Sequence, residues 1–402
     1  MHATSDARVA ILGVVPRVVH APVNADECAE IMTACAREGL SVGIIGGGTE
    51  LSLGRPPAAL DAVIRTRAMA RVLEYAPADM VIRVEAGVTL AEVQAVTRAE
   101  RQMLALDAPH PERATLGGLV ATAGYGPRRA RYGAVRDLLI GVTLIRADGV
   151  CARGGGKVVK NVAGFDLPKV VCGSLGSLGL IATANFRLHP LPEVAQTAIF
   201  PAISAETAAS LVNRMRQAQL EPASAVAIGQ GAGALDLGVR FEGFDKAVAH
   251  QMKRLRELGP SEALSEDAAA RFWKRHDEAR TGGALRIRIA ALPSHLPATA
   301  SLLSPLFAAL HGAHFVAYAT LGLTFVTGEI ADVPAATAAL LAARSALTGS
   351  GGSLVVDDAP ADVRANVDPW GPLPGSFALM SELKRRFDPE RRLNPGRFIG
   401  GL

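Results

Sequence analysis

GGGKVVKNVAGFDLPKVVCGSLGSLGLI, residues 154–181, joins a lysine-asparagine turn to a glycine-punctuated loop that no ordinary core element requires. A second loop of the same kind lies over a hundred residues upstream at 43–51, GIIGGGTEL, where a β-branched run feeds three consecutive glycines and a threonine. Glycines in series let backbone N–H groups converge on an anion, because no Cβ blocks close approach and left-handed conformations cost little. The two loops together predict a phosphate-bearing ligand held by backbone donors.

Around these loops the sequence reads as alternating elements. Residues 26–38 carry apolar side chains at helical spacing and stop at Gly39; 42–45 and 81–85 are β-branched strand candidates. Thr89 opens a helix over 89–101, with Glu92 three residues on in capping-box position. A dinucleotide fold of the Rossmann type is excluded, because Gly46 to Gly48 run into Thr49, Glu50 and Leu51 and then Gly54-Arg55-Pro56-Pro57 rather than into a helix. Residues 109–144 are rich in loops and small side chains: Thr115, Gly117, Gly118, Ala121, Thr122, Ala123, Gly124 and Gly126 form a surface without bulk. Either a flat ring lies against that surface, or it packs tightly on neighbouring elements.

Pro190 and Pro192 end the first domain. Beyond them helices are expected over 205–219, 244–258, 297–310 and 334–347, and strands over 235–241, 284–290, 315–328 and 353–357. That alternation implies a sheet covered by helices. A basic helix over 376–386 and a turn-rich tail ending LNPGRFIGGL are expected to dock back on the body.

Composition narrows the function classes. In 402 residues, 49% hydrophobic content with 20% charge describes a well-buried globular chain. The net charge is only +4, the basic residues are scattered apart from short clusters at Arg128, Arg129 and Arg131 and at 384–386, and aromatics amount to 4%. Nucleic-acid binding is therefore not expected. Cys28, Cys35, Cys151 and Cys172 have neither the spacing of a metal site nor the density of a disulfide scaffold, which fits a reducing cytoplasm. No signal peptide and no membrane span are expected, so membrane attachment would run through a partner.

The glycine loop, the ATLGG segment, GPRRARYGAVRD, KNVAGFDL, GSLGSLGLI and the terminal LNPGR together resemble the FAD-binding subunit of bacterial glycolate oxidase, in the group of flavin-linked D-2-hydroxy acid oxidases. The resemblance implies an α+β fold: a vanillyl-alcohol-oxidase/PCMH-type FAD-binding domain of two α+β subdomains over 1–192, an α/β cap of the FAD-linked oxidase C-terminal type over 193–375, and a segment over 376–402 returning to the flavin site. Carried over position by position, Ile45, Gly46, Gly47, Gly48, Thr49 and Glu50 match the pyrophosphate loop. Pro109, Thr115, Leu116, Gly117, Gly118, Ala121, Gly124 and Gly126 match the segment along the isoalloxazine and ribityl chain. Gly176, Gly179 and Ile181 match the adenine end, and Asn394 matches the terminal motif. Arg128 and Asp137 match positions near the cofactor, with surface ion pairs as the equal alternative; Lys160 and Asn161 fit a structural turn or a contact.

The glycine loop lacks the histidine that flavin-linking members place there, so FAD is expected to be non-covalent, and His110 between prolines reads as a turn residue. Catalytic relatives carry histidines on a cap strand and a Glu-His pair after a Gly-Gly-Ser turn, which together bind a metal. Here the corresponding stretches are 318–325 and Gly351-Gly352-Ser353 leading to Asp357-Asp358, with no imidazole, and no metal is expected; His311 and His314 read as ordinary histidines. Arg286 and Arg288 alternate on a strand and share a face, either to grip a substrate carboxylate or as an exposed basic surface. The implied function is a subunit oxidising glycolate or a related 2-hydroxy acid, partnered by a homologous catalytic flavin subunit and an iron-sulfur subunit. A non-catalytic assembly subunit and an autonomous dehydrogenase are the alternatives.

Overall fold

The computed structural model describes residues 9–156 and 166–402. They divide into two compact units, one from Met1–Gly126, Gly133–Leu191 and Pro372–Leu402, the other from Pro127–Tyr132 and Pro192–Gly371.

Among the described residues the first unit holds two larger sheets and a short antiparallel pairing of Gln102–Met103 with His189–Pro190. Strands Val18–His20, Ala62–Arg65 and Val42–Ile45 pair in parallel in that order. Helix Ala25–Arg37 precedes Val42–Ile45, with the Asn24 side chain accepting from the Glu27 N–H at 2.9 Å and Asp26 and Glu27 in its first turn. Its inner stripe, Cys28, Ile31, Met32 and Cys35, packs with Val42, Ile64, Leu180 and Ala182. Gly39, at φ +66°, takes the chain out of the helix in a conformation open to glycine. The second sheet is antiparallel, ordered Val72–Ala76, Val81–Glu85, Leu180–Arg187, Leu139–Ile145 and Cys151–Gly155. Helix Leu90–Arg98 follows Val81–Glu85 and has the expected capping box: Glu92 N–H donates to Thr89 Oγ1 at 3.2 Å, and Thr89 N–H donates to Glu92 Oε2 at 2.7 Å.

The second unit is an antiparallel sheet ordered Glu262–Ala263, Val194–Ile203, Leu235–Gly243, Ser224–Gln230, Leu310–Tyr318, Leu323–Ile330, Leu285–Ala290 and Ser353–Asp358. Its apolar core includes Leu237, Ile287, Phe315 and Val326 from strands and Leu211, Leu255 and Leu340 from helices. Two expectations are corrected. The single strand over 315–328 is a hairpin, turned at residues 319–322, where Gly322 sits at φ +65° and an added Cβ would lie 1.9 Å from the Ala291 carbonyl oxygen. The helix over 297–310 is two short helices, Leu296–Leu302 and Ser304–Ala308, and Leu310 already belongs to a strand. Strands Val194–Ile203 and Ser224–Gln230 were not anticipated. Among the described residues no helix is long and apolar enough to cross a membrane.

Candidate functional site: a glycine-walled cleft

The glycine loop leaves strand Val42–Ile45 and lies flat against the turn that opens helix Leu116–Thr122. Gly47 N–H donates to Thr115 Oγ1 at 3.2 Å, the same oxygen that accepts from Gly118 N–H at 3.3 Å to cap that helix. A Cβ at Gly46 would stand 2.3 Å from Thr115 Oγ1, and one at Gly47 would stand 1.7 Å from the Arg113 carbonyl oxygen. Gly48 lies at φ +74°. At the other end of the same helix, the Gly173 and Leu175 N–H groups donate to the carbonyls of Val120 and Ala121 at 2.8 and 2.7 Å, docking the 173–176 loop. Between the loops opens a cleft lined by glycines and other small side chains.

Two features of the cleft call for a ligand. Among the described residues the N–H groups of Gly48 and Thr49 have no protein acceptor. Asn394 is buried with Nδ2 donating to the Leu175 carbonyl at 2.8 Å, while Oδ1 has no partner. A buried polar atom left unpaired is costly, so Asn394 Oδ1 calls for a donor, while the half-exposed Gly48 and Thr49 N–H groups are open to an acceptor. Free backbone donors suit a pyrophosphate and an orphaned acceptor suits a hydroxyl or amine; FAD carries all of these, and the residues fit it.

Twelve of the positions carried over from the family resemblance line this cleft: Gly46, Gly47, Gly48, Thr49, Glu50 and Thr115, and also Gly117, Gly118, Ala121, Gly176, Ile181 and Asn394. Others face elsewhere. Ile45 packs with Leu60 and Val63, and Leu116 is fully buried at the start of its helix. Gly124, Gly126 and Gly179 permit close packing: an added Cβ would meet Leu119 Cδ2 at 2.7 Å, the Asp107 carbonyl oxygen at 2.1 Å and Leu144 Cγ at 2.6 Å respectively. Pro109 precedes the turn at His110, whose φ is +54° and whose carbonyl accepts from Arg113 and Ala114. Asp137 Oδ2 accepts from Ala134 N–H at 2.8 Å and caps a helical turn. Lys160 and Asn161 lie outside the described residues. Arg397, which also lines the cleft, escaped the sequence reading although its LNPGR motif was in view.

In the second unit, Arg128 donates to Glu242 Oε1 through Nε at 3.1 Å and Nη2 at 2.8 Å; Arg240 pairs with the same oxygen at 2.9 Å, and Tyr132 donates to Oε2 at 3.1 Å. Burial, with the Glu242 carboxylate beside it, pushes the Tyr132 phenol up to about 12. Arg286 and Arg288 lie on strand Leu285–Ala290 and are engaged by the neighbouring strand: Arg286 Nη2 donates to Asp358 Oδ2 at 3.1 Å, and Arg288 Nη2 lies 3.3 Å from Asp357 Oδ1. Arg364 Nη2 also bonds Asp358, at 2.8 Å. Asp357 and Asp358 thus serve as partners of arginines. Among the described residues no group of three or more His, Cys, Asp or Glu side chains is placed to hold a metal ion.

The fold and the cleft define an FAD-binding protein. Residues 16–155 match the FAD binding domain family, which gives FAD as the cofactor of this part of the chain. It is 34% identical over 232 residues to glycolate oxidase subunit GlcE of Escherichia coli strain K12, covering 58% of this chain and 62% of that protein. Glycolate oxidase subunit GlcD of Bacillus subtilis strain 168 is 31% identical over 209 residues, covering 52% of this chain and 44% of the relative. D-lactate dehydrogenase of Archaeoglobus fulgidus is 36% identical over 175 residues, covering 43% and 39%. The matches thus span between 39 and 62% of the length of these relatives. An alkyldihydroxyacetonephosphate synthase structure superposes with a TM-score of 0.73 at 16% identity, covering 96% of this chain and 78% of that one. Substrate-bound p-cresol methylhydroxylase gives 0.72 at 15%, covering 95% and 88%. These two share the fold.

Proposed function

We infer that this chain is the FAD-binding subunit of a multi-subunit glycolate oxidase or dehydrogenase that oxidises glycolate, or a related D-2-hydroxy acid, to the 2-oxo acid and delivers electrons to an iron-sulfur subunit. The observation that carries this reading is the 34% identity to a protein named as a glycolate oxidase subunit, in a chain whose glycine cleft fits the cofactor. Bound flavin supplies the redox chemistry by taking up the two electrons lost by the hydroxy acid. The free backbone donors of Gly48 and Thr49 would hold the pyrophosphate, with Gly46 and Gly47 bringing the loop close to it, while the small surface of Gly117, Gly118 and Ala121 admits the cofactor without side-chain obstruction and Asn394 closes the far side. No histidine stands in the glycine loop, so attachment is non-covalent. The chain works in the cytoplasm, reaching a membrane only through its partners.

A second reading assigns it an assembly role, with the catalytic flavin in a homologous subunit. It is favoured by the Asp357 and Asp358 contacts, which occupy the arginine forks that a substrate carboxylate would need. Arg286 and Arg288 are the substrate-binding candidates under the first reading alone. Purification of the tagged chain from its own cells, with co-purifying proteins and glycolate-dependent dye reduction scored together, tests both, and Arg286→Ala in the purified complex separates them: lost dye reduction supports the first reading and unchanged dye reduction the second. Both readings expect a homologous flavin subunit and an iron-sulfur subunit to co-purify. A chain that purifies alone and oxidises glycolate as fast as any complex overturns both.

A further inference from the structure

The terminal segment 384–397 is tied to both loops of the cleft. Lys384 is buried on helix Phe377–Phe387, and its Nζ donates to the Ser177 carbonyl at 2.8 Å, the Leu393 carbonyl at 2.9 Å and Asp388 Oδ2 at 2.7 Å. Asp388, equally buried, accepts from the backbone N–H groups of Arg392 and Leu393 at 3.0 and 2.7 Å. One ammonium thereby joins the 173–177 loop to the tail, and its carboxylate partner fixes the turn of that tail. Leu393 then bridges in parallel to Val42: Val42 N–H donates to the Arg392 carbonyl at 2.8 Å and Asn394 N–H to the Val42 carbonyl at 2.9 Å. The tail therefore pairs beside the start of the strand that becomes the glycine loop. Beyond it, Arg397 Nη2 donates to the Leu51 and Leu53 carbonyls at 2.8 Å each, holding the far side of the same loop.

Between these ties Asn394 adopts φ +44°, a left-handed conformation that asparagine tolerates better than most residues. The Leu175 carbonyl can only accept, so Nδ2 must face it and Oδ1 is the atom left for the cleft. An amide oxygen requires an N–H or O–H group. Neither a phosphate nor a flavin carbonyl can satisfy it, whereas the hydroxyls and amino group of FAD can.

We propose that residues 384–397 form a cofactor-dependent clasp, in which Asn394 accepts a hydrogen bond from a hydroxyl or amino group of FAD and Lys384 and Asp388 are positioning residues that hold it there. The proposal rests on the cleft being the FAD site. Coupling is reciprocal: a tail that tightens the cofactor is itself held down by the cofactor. The test is amide hydrogen exchange of the full chain with and without FAD, together with flavin-fluorescence titrations of the wild type, Asn394→Ala and the Lys384→Met/Asp388→Asn pair, which removes both charges and keeps the shape. FAD is expected to slow exchange across 388–397 by at least about tenfold. Asn394→Ala is expected to weaken FAD by about tenfold, the loss of one hydrogen bond to the cofactor, and to lower the melting temperature of the flavin-free protein modestly, because it also drops the bond to the Leu175 carbonyl and strains a left-handed backbone. The paired variant is expected to weaken FAD similarly and to abolish the slowed exchange; if it fails to fold, the wild-type exchange and Asn394→Ala decide. Saturable FAD binding with unchanged exchange at 388–397, or full affinity in Asn394→Ala, overturns the clasp and leaves the site assignment standing. No FAD binding by the wild type defeats the site assignment and the clasp with it.

Discussion

Gly47→Ala places a methyl group 1.7 Å from the Arg113 carbonyl oxygen, where real Cβ contacts essentially never fall below 3.0 Å. The overlap is with backbone, so the loop and the 113–115 turn must separate by about 1.3 Å, the difference of those distances. That shift breaks the 3.2 Å bond from Gly47 N–H to Thr115 Oγ1 and turns the neighbouring Gly48 and Thr49 donors away from a shared anion. Hydrogen bonds to charged groups contribute about 1.5–3 kcal/mol each. Misdirecting two of them weakens FAD binding by about 10²- to 10⁴-fold, at about 1.4 kcal/mol per factor of ten. Fluorescence titration of deflavinated protein measures the loss directly. Gly39→Ala is the control: at φ +66° it strains a helix end and lowers stability by about 1 kcal/mol, but it lies outside the cleft and should leave FAD affinity unchanged. A Gly47→Ala protein that binds FAD within about threefold of wild type refutes the assignment of this loop to the pyrophosphate.

Three further outcomes are expected. Thr89→Ala removes the hydroxyl that accepts from Glu92 N–H, while the backbone N–H at 89 still donates to Glu92, and should cost about 1 kcal/mol, read as a lower midpoint in urea unfolding with FAD affinity unaltered; an unchanged midpoint would deny the cap its role. Glu242→Gln leaves Arg128 and Arg240 facing a neutral group in place of a buried carboxylate, and a destabilisation of about 3 kcal/mol is expected by the same assay, against none if the ion pairs are incidental. Burial raises the Cys28 thiol to about 12, so the folded chain keeps a proton that the unfolded chain releases from pH 9 upward. Stability should therefore decline between those values, and a Cys28→Ala variant should flatten that part of the profile. The same shift predicts that Cys28 resists a thiol reagent at pH 8 in the folded protein while exposed Cys151 reacts, which thiol counting before and after denaturation checks.

The parts of the molecule legible in the sequence are those whose local chemistry admits few solutions. Gly46 and Gly47 could be read as a cradle because only glycine survives such close backbone approach, and the structure supplies the reason in Thr115 and Arg113. Thr89 and Glu92 announced their helix start because the capping box is complete within four residues. The stretch 315–328 reads as one strand because its largely apolar run continues through Thr320 and Leu321 with only Gly322 to mark a reversal, and one glycine in a strand pattern signals a bulge as readily as a turn. Gly124, Gly126 and Gly179 were grouped with the cofactor because glycine that packs against protein and glycine that packs against ligand look alike in sequence. Lys384 stayed hidden within a basic helix, since what sets it apart from Arg385 and Arg386 is a carbonyl 207 residues away.

The most direct measurement is the flavin released when the purified chain is precipitated with acid. One equivalent of intact FAD in the supernatant, with a colourless pellet, is the predicted result. Flavin that stays with the polypeptide, or a folded chain that neither carries FAD nor takes it up on titration, would contradict the account.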